Sequence, residues 1–221
     1  LENYLNEYDA ERFYGKFQVD YDFLKYFKFT YRMGLDTTTG QSNRGEPNLY
    51  ALFYEGTPNG EGMGSNSPFY GKEGSYSQQI TRRREINQDL LLSFSMPIND
   101  FQINALAGFN GNERKYSYLY SSVSKLTIPT WYNLSNSAAT PTVEQYLSLR
   151  RLMGVFGQVD LSWRNMLYVT LTARNDWSST LPKENRSFFY PGATGSFIFT
   201  ELLDEDMKDI LSFGKVRMAW G

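Results

Sequence analysis

LMGVFGQVDLSWRNMLYVTLTARND, residues 152–176, holds two runs of alternating apolar and polar residues joined by Arg164-Asn165-Met166. Successive side chains of a strand point to opposite faces. The first run thus sets Met153, Val155, Gly157, Val159, Leu161 and Trp163 on one face and Asp160 on the other. The second sets Leu167, Val169, Leu171 and Ala173 opposite Arg174 and Asp176. So short a link admits only an antiparallel hairpin.

The same unit recurs twice upstream. Strands are expected over about 12–22 and 27–36, joined by Phe23-Leu24-Lys25-Tyr26, and over 86–96 and 101–110, joined by Pro97-Ile98-Asn99-Asp100. Phe17, Phe29, Leu90 and Ile103 fall in the apolar class, which carries no charge. The other class takes all of it: Arg12, Lys16, Asp20, Asp22, Lys28, Arg32, Asp36 and Asp89, besides Asp160, Arg174 and Asp176. The intervening links, about 37–85 and 111–151, are long. Strands of about ten residues, with short turns on one rim and long loops on the other, describe an outer-membrane β-barrel wall. The apolar class also ends in aromatics on the turn side (Tyr21, Phe27, Phe101, Trp163), as an interfacial girdle does.

A fainter seventh strand is expected over 192–200, then a short helix within 200–213 that starts among acidic residues, then an eighth strand from Lys215. The fold class is therefore all-β: antiparallel up-and-down strands, seven or eight in residues 1–221, forming part of a large transmembrane barrel. The first and last strands are expected to be edges whose partners lie in a longer protein. A soluble sandwich or lipocalin-like barrel with its apolar face inward gives the same alternation and stays open as a β-rich binding or adhesion module.

Composition narrows the chemistry. Phe and Tyr are abundant, 16 and 17 of 221 residues, which favours strands. A net charge of −2 gives no bulk attraction for nucleic acid. The chain has no Cys and no His, which removes thiolate and imidazole metal ligands and the usual general base, so neither cofactor nor catalysis is expected. No apolar run approaches the roughly 18 residues of a membrane helix, a test that barrel strands evade.

Thr170–Ser179, then Asn185–Pro191 leading into Gly195-Ser196-Phe197 and Glu201, then Leu211–Gly221, resemble consecutive segments of the SusC/RagA family of TonB-dependent outer-membrane transporters. Trp177 and Gly192 stand where a small residue and a Ser are commoner. The resemblance implies nutrient import across the bacterial outer membrane, driven by TonB through a plug that lies outside this chain. It also implies a SusD-like surface lipoprotein as partner and an oligosaccharide or peptide as substrate. A different TonB-dependent receptor, for siderophores or cofactors, is the rival within the class.

Candidate contacts follow from position. Arg32, Asp36, Asp160, Arg174 and Asp176 are expected to face the lumen, where Arg174 and Asp176 either meet substrate or plug or, more simply, stiffen the wall. Tyr50, Phe53, Tyr54, Phe69, Tyr70 and Trp131 are loop aromatics able to stack on a substrate or partner, or to fold the loops on themselves. Arg82 and Arg84 share the parity of Ile86, so they point outward at the level of lipopolysaccharide phosphates or else edge a solvated loop.

Overall fold

Among the described residues eight strands form in chain order: β1 (Leu5–Phe23), β2 (Phe27–Glu46), β3 (Ser75–Ile98), β4 (Phe101–Ser124), β5 (Thr142–Trp163), β6 (Leu167–Ser178), β7 (Ser187–Ile198) and β8 (Lys215–Trp220). They make one sheet in the order β1-β2-β3-β4-β5-β6-β7-β8, with β1 and β8 at its edges. Pairing from β5 to β8 is antiparallel between sequence neighbours, Trp163 facing Leu167, Leu167 facing Phe197 and Ala193 facing Trp220. The computed structural model describes residues 4–49 and 72–221.

The three short links fall where the alternation put them. None contains glycine, yet Leu24 (φ 47°), Asn99 (51°), Arg164 (49°) and Asn165 (57°) take the left-handed conformation there. Asn tolerates that region, whereas Leu and Arg pay on the order of 1–2 kcal/mol. Arg164 offsets its strain locally. Its amide donates to Asp100 O at 2.9 Å, its Nε lies 2.8 Å from Asp100 Oδ2, and its guanidinium lies 5.1 Å from the Trp163 ring centre.

The outer parts of the strands correct the expected boundaries. Most of 37–85 and 111–151 was expected as loop, but β2 runs on to Glu46, β3 begins at Ser75, β4 reaches Ser124 and β5 begins at Thr142. These extensions hold Thr37-Thr38-Thr39, Arg82-Arg83-Arg84 and Tyr116-Ser117-Tyr118, with no apolar class to read. β7 starts five residues earlier than expected and stops at Ile198. The helical expectation for 200–213 resolves into a 3-10 turn, Phe199–Leu202, and one α-helical turn, Glu205–Lys208.

The chain divides into two compact units, one of residues 14–35, 85–114 and 150–221, the other of 1–13, 36–84 and 115–149. In the first, the apolar class lines one face of the sheet and is not covered: Phe17 is 58% exposed, Leu90 41% and Leu171 50%. No second sheet lies among the described residues, so the packed core that a soluble sandwich requires is missing from them. At its turn end the Tyr21, Phe23, Phe27 and Phe94 rings stack in series with centres 5.0–5.9 Å apart, and Phe101 meets Trp163 at 6.4 Å. Tyr21, Phe27, Phe101 and Trp163, the aromatics expected on the turn side, thus all lie in ring contacts there.

The second unit has a small core of its own. Tyr76, Val123 and Leu126 are buried and packed by Leu5, Tyr132 and Leu134. The segment after β4 folds over it: Leu126 N donates to Glu73 O at 2.9 Å, and Asn48 Nδ2 donates to Leu126 O at 2.7 Å. Asn136 ties the loop by accepting from Ile128 N at 2.9 Å while its amide donates to Ile128 O and Trp131 O at 2.8 and 2.6 Å. Gly74 (φ 77°) is required here, since a Cβ would stand 2.7 Å from the Asn48 backbone nitrogen.

Candidate functional site: the charged face

The charged class of the first unit is cross-linked strand to strand. Thr30 Oγ1 donates to Asp20 Oδ1 at 2.6 Å while Gln18 Nε2 donates to Oδ2 at 2.7 Å. The β5–β6 hairpin repeats this, Thr170 to Asp160 Oδ1 at 2.6 Å and Gln158 to Oδ2 at 2.8 Å. Between them, β3 and β4 pair Asp89 with Asn110 at 2.6 Å, Glu85 with Asn112 at 2.8 Å and Arg114 at 3.0 Å, and Ser95 with Asn104 at 2.8 Å. Each carboxylate thus has partners that satisfy it on a face with water nearby.

Arg174 and Asp176 form the strongest local feature. Arg174 Nε lies 2.9 and 2.8 Å from the two Asp176 oxygens, and the guanidinium lies 5.4 Å from the Phe156 ring centre. Gly154 faces Asp176 in the β5–β6 register, and a Cβ there would come 2.8 Å from Arg174 Nη2, so its absence lets the pair lie across β5. The pair borders a cavity of about 470 Å³ lined also by Asn110, Asn112, Arg150 and Tyr190. Amides, both charge signs and a phenol converge there, a set that can hydrogen-bond and stack on a polar ligand.

The five residues expected to line the lumen do not gather into one cluster. Asp160 is held by Gln158 and Thr170, and Asp36 by Arg12 Nε and Nη2 at 3.0 and 2.6 Å in the second unit. Arg32 lies in the first unit, its Nε buried without an acceptor among the described residues. Sequence reading missed Arg150, Tyr190 and Gly154; the parity of the charged face carried that signal once the β5–β6–β7 register is known.

Of the loop aromatics, Trp131 sits 47% exposed on the folded loop, its carbonyl bound by Asn136. Tyr50, Phe53, Tyr54, Phe69 and Tyr70 lie outside the described residues. Arg82 and Arg84 are exposed on β3, and Arg83 between them stacks 5.4 Å from the Tyr116 ring centre. Among the described residues no group of three His, Cys, Asp or Glu could hold a metal.

TonB-dependent receptor P3 of Formosa agariphila is 22% identical over 223 residues, covering 98% of this chain and 20% of the receptor. The RagAB peptide importer in its closed-closed state superposes over 99% of the chain and 23% of its own, with a TM-score of 0.80 at 14% identity. The chain is similar to a stretch of SusC/RagA-like TonB-dependent transporter barrel and has its fold. No family model matches it. BauA, the ferric preacinetobactin receptor of Acinetobacter baumannii, fits less well, with a TM-score of 0.50 over 87% of the chain. The segment spans about a fifth of the curated relative's length. These relatives are receptors and transporters, not enzymes.

Proposed function

We propose that this segment is wall from a TonB-driven importer that takes oligosaccharides or peptides from a SusD-like surface lipoprotein. One observation carries the reading: a single sheet with an uncovered apolar face backed by a hydrogen-bonded charged face, superposing on RagAB with a TM-score of 0.80. The apolar face meets lipid and the charged face lines the conduit, where Arg32, Asp36, Asp160, Arg174 and Asp176 lie. The wall needs no bond-making chemistry, because work delivered through TonB moves the plug. A peptide cargo is favoured by RagAB's being a peptide importer and by the cavity at Arg174 and Asp176, which offers both charge signs to a zwitterionic chain.

The test uses the full-length transporter in its own host. Growth on a peptide mixture and on oligosaccharides as sole nutrient should fall on deletion for one of the two, and a protonophore should abolish the corresponding uptake. Pull-down of the tagged transporter should bring a surface lipoprotein. Uptake that survives the protonophore, or a growth defect confined to iron starvation, would overturn this reading in favour of a channel or a siderophore receptor.

A further inference from the structure

Most polar groups around the cavity at Arg174 and Asp176 are spent on one another. Arg174 Nε holds both Asp176 oxygens. The Asn110 amide donates to Asp89, the Asn112 amide to Glu85 and Asn87, and the Ser178 and Thr180 hydroxyls meet at 2.8 Å. Arg150 differs. It lines the cavity, is exposed, and has no hydrogen bond or ion pair among the described residues. The β5–β6 register fixes its side: Gly154 faces Asp176, Leu152 faces Ser178, and one step on Ser179 N donates to Arg151 O at 2.9 Å. Arg150 therefore shares the face of Leu152, Gly154 and Asp176. Across β6 and β7, Asp176 faces Phe188 and Arg174 faces Tyr190, so both rings stand on that face, and both are exposed. All of these residues belong to one compact unit.

What is left open identifies the ligand. Among the described residues the charged groups lining the cavity are Arg150, Arg174 and Asp176, and with the last two paired a positive charge is left over on Arg150. A guanidinium fork matches a carboxylate, and the Asp176 charge disfavours a dianion such as phosphate. Leu152, Phe188 and Tyr190 set apolar surface beside it. A sugar acid needs partners for its ring hydroxyls, and the amides and hydroxyls named above are already engaged. The last residue of a peptide carries a carboxylate and an apolar side chain on one carbon. We propose that Arg150 binds the terminal carboxylate of a peptide whose last side chain, aromatic or aliphatic, lies against Phe188 and Tyr190. The proposal deepens the importer reading above and rests on it.

The experiment titrates the full-length transporter, in detergent, with tetra-alanyl-phenylalanine as the free acid and as the C-terminal amide, followed by calorimetry. The wild type should bind the acid about tenfold more tightly than the amide. R150Q should bind both alike, at about the affinity of the amide, while R150K should keep a preference of about threefold. Phe188→Ala should weaken both peptides by about fivefold and leave their ratio unchanged. A gel shift between unheated and heated samples reports folding for every variant. A preference for the acid that survives in R150Q, no preference in the wild type, or no binding of either peptide overturns the site. Uptake by the deletion strain separates this from the importer reading. If deletion abolishes energy-dependent peptide uptake, a failed titration strikes the site alone; if the deletion strain imports peptides normally, a peptide-importing role falls as well.

Discussion

Thr170 donates a 2.6 Å hydrogen bond to Asp160 across β5 and β6, and ten residues separate them, the same spacing and distance that join Thr30 to Asp20 across β1 and β2. Both acids also accept from a Gln two residues earlier. Each hairpin so fixes a carboxylate on the polar face without using a cation for it in the β5–β6 case. Replacing Thr170 by Val should cost about 1 kcal/mol, the net worth of one such bond, and Thr170→Ser should recover most of it. Urea unfolding of the full-length transporter in detergent measures both, and equal midpoints for Val and wild type would show the bond to be idle.

The next residue tests facing. Leu171 is half exposed on the apolar face while Thr170 points the other way. Leu171→Arg near the midplane should cost about 2–4 kcal/mol, and Thr170→Arg much less. Folding yield into lipid vesicles, read by the heat-dependent gel shift, should separate the two substitutions. Equal damage from both would contradict the facing.

Arg174 and Asp176 are partly exposed, their side chains 42% and 34% accessible, so water weakens their attraction. A double-mutant cycle with Arg174→Gln and Asp176→Asn should give a coupling below about 1 kcal/mol. A loss of uptake out of proportion to that small coupling would mark the pair as a substrate or plug contact instead of a brace. Wild-type uptake in the double variant would leave it a brace.

In the outer loop, Asn136→Ala removes three hydrogen bonds and leaves the Ile128 and Trp131 backbone groups unsatisfied. The local cost should be about 1–3 kcal/mol. Limited proteolysis should then cut within 125–141 at protease levels the wild type survives, while β6 and β7 stay intact.

That loop should also loosen in alkali. Burial pushes the Tyr76 and Tyr132 hydroxyls above the usual tyrosine range of about 10, helped at Tyr76 by the Glu7 charge and at Tyr132 by Tyr4 and Glu46. A group whose folded value is raised contributes fully below its unfolded value and loses that contribution as pH climbs through the folded one. Protection of the Leu126 amide from hydrogen exchange should therefore fall as pH passes the normal tyrosine value, and Tyr132→Phe should blunt the fall.

Where apolar and polar residues alternate strictly, the sequence was readable. Leu167–Ala173 and Leu152–Trp163 alternate between an uncharged face and a hydrogen-bonded charged one, so strands and turns followed from parity. Past Arg84 and Arg114 only Tyr76 and Val123 of the two strands are buried in the small core, too few to make an alternating run, and the outer halves of β3 and β4 carried no signal beyond their β-forming residues. The site behaved likewise. Arg174 and Asp176 are two apart on one strand and visible, whereas Tyr190 and Gly154 meet them only through pairings between distant segments.

The turn between β3 and β4 holds only Asn99 and Asp100, and from it Ser95 meets Asn104, Asp89 meets Asn110 and Glu85 meets Arg114 at unbroken steps. Such a hairpin counts in twos. One residue gained inside a strand would exchange Leu90 and Asp89 between the apolar and the charged face along everything beyond it. Insertions and deletions over evolution can therefore survive in the alternating half only as pairs, or where a bulge swallows the odd residue. The distal ends, free of that arithmetic, are where the length of this wall is at liberty to drift.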